Sequence, residues 1–151
     1  MRKIIFFLAF VAGMIFAGAT QCRAQNITNS NTGDVMQGQL TAAAAVGTYW
    51  SPNLPNPSAH ALKCLVSISS VAPGGTLTVT LMGVDPPSGR PYTLLASAAL
   101  GSVADTLLEV GPGVTVGTNT AASVFVPATW KVKAVTATAA VAATIGCSLI
   151  N

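Results

Sequence analysis

Apolar residues recur at every second position in four long stretches of this chain, and that period is the signature of a β-strand with one buried face. In ALKCLVSISSV (61–71), Leu62, Cys64, Val66 and Ile68 fall on one side and Lys63, Ser67 and Ser69 on the other, with Leu65 breaking the alternation. TLTVTLMGV (76–84) opposes Leu77, Val79 and Leu81 to Thr76, Thr78 and Thr80. WKVKAVTAT (130–138) sets Trp130, Val132 and Ala134 against Lys131 and Lys133. AVAATIGCSLI (140–150) gathers Val141, Ala143, Ile145, Cys147 and Leu149 on one face. Shorter strand candidates lie at 41–50, 92–98, 106–110 and 122–126. Between them stand SPNLPNPS (51–58), PGG (73–75), DPPSG (85–89), GPG (111–113) and VPATW (126–130). Short strands divided by Gly- and Pro-rich turns predict an all-β chain, an antiparallel β-sandwich or jelly roll in a single domain. The many Thr and Val residues suit a pleated surface. The alanine runs at 42–45 and 139–143 read as strand too, because Val and Thr neighbour them and no charged helix face accompanies them.

The start of the chain has a different grammar. Arg2 and Lys3 precede an apolar run from Ile4 to Phe16, and small residues come after it. This predicts a secretory signal peptide over residues 1–24, cleaved after Ala24, with Ala19 as the second site. The alternative is a retained hydrophobic anchor, although the apolar run falls short of the ~20 residues a membrane span requires. Gln21, rather than a small residue, precedes Cys22, which argues against lipoprotein processing. Residues 25–34, QNITNSNTGD, read as a flexible polar arm, and 35–151 as the β-domain.

The formal charge of +3 belongs to the leader, which holds Arg2, Lys3 and Arg23. The remainder of the chain carries Lys63, Arg90, Lys131 and Lys133 against Asp34, Asp85, Asp105 and Glu109. A neutral domain has no clustered cations for phosphate, so no nucleic-acid partner is expected, and membrane contact is expected only through an uncleaved leader. At 51% hydrophobic and 7% charged, the composition is opposite to that of a disordered chain.

With Cys22 in the leader, Cys64 and Cys147 enter an oxidising compartment as a pair, and both lie on core parity. An even count in an exported domain predicts one disulfide between them. Two buried free thiols are the alternative.

The polar inventory offers little chemistry. His60 is the single histidine and lies in no recognisable motif. One His and two core-parity cysteines do not supply the three or four ligands of a zinc site, so no metal or cofactor is expected. Asp105 and Glu109 flank Leu107 and Leu108, which suits a solvated strand better than a glycosidase pair. PGG and GPG lack phosphate-loop spacing. Tyr49 and Trp50 are candidate interface or ligand aromatics, with packing under the Pro-rich loop as the plainer role. The run LMGVDPPSGRPYTLLASAAL (81–100) concentrates scarce charge, yet turn chemistry accounts for it. Asp85 accepts from amides ahead of it, two prolines stiffen the bend, Gly89 supplies a positive φ, and Arg90 pairs with Asp85. No catalytic residue is assigned.

The series GTYWSPNLPNPSAHALKCLVSIS, LTVTLMGVDPPSGRPYTLLASAAL, LLEVGPGVT, VPATWKVKAVTA and ATIGCSLI resembles small β-sandwich virion structural proteins of tailed phages and prophages, of the head-decoration or minor-capsid kind. The likeness runs over roughly residues 46–151, and Leu77 to Leu100 is its specific part. It implies a non-enzymatic building part whose partners are other protein subunits, in a homo-oligomer or on a capsid. The leader and the cysteines depart from that pattern. They suit a second expectation, a secreted or cell-surface β-sandwich such as a fibre subunit, an adhesion module or a carbohydrate-binding module. The expected location is accordingly the virion or an exported compartment.

Overall fold

The computed structural model describes the backbone of residues 37–42 and the whole of residues 45–57 and 61–150. The predicted leader, the polar arm and His60 lie outside the described residues. Ten strands succeed one another: β1 (Gln37–Ala42), β2 (Gly47–Trp50), β3 (Leu54–Pro55), β4 (Ala61–Val71), β5 (Thr76–Val84), β6 (Pro91–Ala96), β7 (Asp105–Val110), β8 (Ala121–Ala122), β9 (Thr129–Ala137) and β10 (Val141–Ile150). No helix occurs among the described residues.

The pairing is nested. β1 runs antiparallel to β10, β2 and β3 to β9, β4 to β7, and β5 to β6. The chain is thus one long hairpin whose tip is the turn between β5 and β6. Rolling it up adds two further antiparallel contacts, β10 on β4 and β9 on β5. One sheet then has the order β1-β10-β4-β7-β8 and the other β2-β9-β5-β6, with β3 beside β9. This is a jelly roll, a two-sheet architecture that buries one face of each sheet against the other. The single parallel pairing among the described residues is the short one between β7 and β8.

Burial obeys the period seen in the sequence. In β4, Leu62, Cys64, Val66 and Ile68 are buried, and in β10 all five predicted positions are. β5 and β9 contribute Leu77, Val79, Leu81, Trp130, Val132 and Ala134 from the opposing sheet. Leu65, which breaks the alternation, points outward beside its cross-strand partner Leu107, and both are 46% exposed. Where the ladder loses strand partners, buried hydroxyls replace them. Ser51 Oγ accepts from the Val132 amide at 2.8 Å, and Ser97 Oγ from the Val79 amide at 2.9 Å. An unpaired amide at either place would cost about 1–3 kcal/mol.

Three expected boundaries shift. The candidate strand 41–50 divides between β1 in one sheet and β2 in the other. The candidate 122–126 shrinks to the two residues of β8. SPNLPNPS contains β3, because Leu54 drops into the core between its prolines and pairs with Trp130. A β-carbon at Gly83 would meet the Tyr92 ring at 2.5 Å and Pro127 at 2.7 Å, so that end of the sandwich closes only over a residue without a side chain.

Candidate interaction surfaces

The turn at the hairpin tip is tied internally. The Asp85 amide donates to the Arg90 carbonyl at 2.9 Å, and the Gly89 amide to the Asp85 carbonyl at 2.8 Å. The Asp85 carboxylate accepts from the Ser88 amide at 3.2 Å and from the Ser88 hydroxyl. Gly89 sits at φ 65°, a conformation that glycine adopts without penalty. Arg90 and Asp85 meet through the backbone; their side chains form no ion pair among the described residues, because the carboxylate is turned into the bend to serve Ser88. Asp85→Ala is expected to lower stability by about 1 kcal/mol in urea unfolding, the usual range when a local cap is lost. An unchanged midpoint would show that the prolines alone hold the turn.

Tyr49 and Trp50 do not form one platform. As neighbours in β2 they face opposite ways, as the pleat dictates. Tyr49 packs against the core and donates its hydroxyl to the Ala45 carbonyl at 2.7 Å. Trp50 faces solvent at 42% exposure, with Lys131 Nζ at 4.7 Å and Lys133 Nζ at 5.3 Å from its ring centroid. Glu109 pairs with its cross-strand neighbour Lys63 at 2.7 Å, and Asp105 stays exposed. This half-exposed ion pair adds little stability.

Cys64 and Cys147 are direct partners in the β4–β10 register and are joined by a disulfide, with Cα atoms 4.0 Å apart. The bond faces the core, and both residues are almost fully buried. Among the described residues, no group of three or more His, Cys, Asp or Glu side chains is placed to hold a metal ion, and no helix is long and apolar enough to cross a membrane.

A surface that the strand pattern did not single out lies at the end of the sandwich where β4, β6 and β9 begin. Phe125 is 76% exposed there and Val116 is 70% exposed, with Val124 and Tyr92 also exposed. Phe125 is not merely on a loose loop. Asn56, 4% exposed, donates its amide side chain to the Val126 carbonyl at 3.0 Å, and its backbone amide donates to the Ala128 carbonyl at 2.7 Å. Val126 turns into the core beside it at 3% exposure. The inward residue and the two bonds fix the segment, so its outward residue is held in water. Val124 and Phe125 are both exposed ahead of buried Val126, so no alternation within 122–126 marked Phe125 in the sequence.

No family model matches the chain, and no curated protein sequence matches it. Among solved structures, a chain from the structure of infectious bursal disease virus, Gx strain, aligns with it at a TM-score of 0.37 and 13% identity. The alignment covers 76% of this chain and 32% of that one, so this protein spans about a third of its length.

Proposed function

We infer that this protein is a non-enzymatic structural component that assembles with other protein subunits through the loop end of its jelly roll, and that its place is on a virion surface as a capsid-decorating part. The observation that carries the reading is the Phe125 end. A large aromatic, 76% exposed on a pinned segment with exposed Val124 next to it in the chain, places apolar area in water that a partner would cover. Scarcity of charge supports it, since interface cores are depleted of charged residues. The sequence likeness to phage structural modules supports the virion as the setting, and jelly rolls serve as capsid and lectin domains alike. The polar arm at 25–34 is a candidate to lie across a neighbouring subunit.

Sedimentation of the native protein, with a search for it in purified particles, tests the reading. The expected result is an oligomer or a particle-bound protein, and a Phe125→Ser variant that melts normally but sediments as a monomer. A native monomer absent from particles would overturn it.

The disulfide favours a second reading, a secreted or cell-surface module of the fibre or adhesion kind, because such bonds persist in oxidising compartments. A processed N-terminus at Gln25 on protein recovered from the extracellular fraction would select it.

A further inference from the structure

We propose that the outer face of the β2-β9-β5-β6 sheet binds an acidic polysaccharide, with Trp50 as the sugar platform and Lys131 and Lys133 as the anion ligands. Four cations lie beyond the predicted leader, and two of them stand on this one strand face. Lys131 and Lys133 are two residues apart in β9, so both side chains rise on the same side of the sheet, from Cα atoms roughly 7 Å apart along the strand. Neither pairs with a carboxylate among the described residues; the ion pair there is Lys63 with Glu109, on the other sheet. Two like charges held side by side repel, and both share the indole of Trp50, which is within cation–π range of each. An anion bridging them relieves that repulsion.

The surroundings suit a sugar. Trp50 lies opposite Lys133, and Lys133 opposite Thr80, so indole, ammonium and hydroxyl stand in one row across three strands. That row spans about 10 Å from the strand spacing, room for one or two pyranose rings. The lysine side chains that lie over the indole can swing toward the anion of a carboxylated or sulfated ring, which frees the indole for the sugar's C–H face while its hydroxyls meet threonine. Two cations are too few to track a phosphate backbone, which argues against nucleic acid. The site is on a sheet face rather than at the loop end, so it is independent of the assembly reading.

The test is binding of the full-length protein to polygalacturonate and to heparin, with dextran as the neutral glycan and oligothymidylate as the nucleic-acid arm. Binding to at least one polyanionic glycan is expected, and which one binds names carboxylate or sulfate as the anion. Trp50→Ala and the Lys131→Gln/Lys133→Gln pair should each weaken it about tenfold or more, with melting unchanged. Trp50→Tyr, which keeps an aromatic face and serves if the alanine variant fails to fold, should retain part of the affinity. Binding to neither polyanion, equal binding to dextran, oligothymidylate bound as tightly as glycan, or lysine-dependent binding indifferent to Trp50 would each overturn the proposal.

Discussion

Replacing Cys64 and Cys147 together by alanine is expected to remove about 4 kcal/mol of stability, with a fall in Tm of roughly 12–20 °C. The reason lies in what the bond connects. Its cysteines are 83 residues apart in sequence, yet they face each other across the β4–β10 ladder. That ladder is not one of the nested hairpin pairs; it forms only when the hairpin rolls up. The unfolded chain must therefore close a very long loop to make it, and the bond restricts the unfolded ensemble where closure is most demanding. Both sulfurs are buried, so reductant would be slow to reach the bond in the native state. Urea unfolding of the oxidised protein, of the reduced protein and of the double variant measures the effect. The reduced protein should resemble the double variant. A loss below about 1 kcal/mol would mean that the native chain does not carry the bond.

The same distinction, between hairpin contacts and rolled contacts, explains how far the sequence could be read. β4, β5, β9 and β10 are flanked on both sides by other strands and bury one whole face each, so their residues obey the period of two over nine to eleven positions. A run of that length fixes parity, and parity put Cys64 and Cys147 on the core face. Parity does not state which core-facing strand lies next to which. β10 against β4 is settled by the rolled topology, through contacts far apart in the chain. Edge and linking strands are harder still. β3 and β8 have two residues each, too few to display any period, and β3 hides between prolines that read as a turn. Leu54 was its signal, an isolated leucine in a polar loop.

The candidate sites divide along the same line. The DPPSG turn was readable because its bonds are local, reaching no farther than from Asp85 to Arg90. The expected pairing of Arg90 with Asp85 was a side-chain one, whereas the structure joins the two residues through main-chain atoms. Tyr49 and Trp50 share a strand, so their opposite faces follow from the pleat. The company of Trp50 does not, since Lys131 and Lys133 arrive from β9, some eighty residues later in the chain. Phe125 was obscured because the segment around it is mostly irregular, fixed by Asn56 from a distant loop.

Trp130→Ala is expected to cost about 3–5 kcal/mol, the range for removing a large aromatic from a core that relaxes only partly. The indole is 1% exposed and lies in β9 between Leu54 of β3 and Gly83 of β5, at the end of the sandwich where Tyr92 and Pro127 close over Gly83. Few neighbours there can move inward to fill the space, because Tyr92 and Pro127 already crowd the Gly83 side. One detail separates this residue from an ordinary core aromatic. Its Nε1 is buried and has no hydrogen-bond partner among the described residues. A buried donor left unpaired costs about 1–3 kcal/mol, which the rest of the ring must outweigh. Trp130→Phe removes that donor along with part of the volume, so the two effects oppose each other. Its expected cost is under about 1.5 kcal/mol, well below the alanine value. Urea unfolding of both variants decides the matter. It can be followed by the fluorescence of Trp50, the other of the two tryptophans in the chain. If phenylalanine costs nearly as much as alanine, the indole N–H is bonded in the native protein.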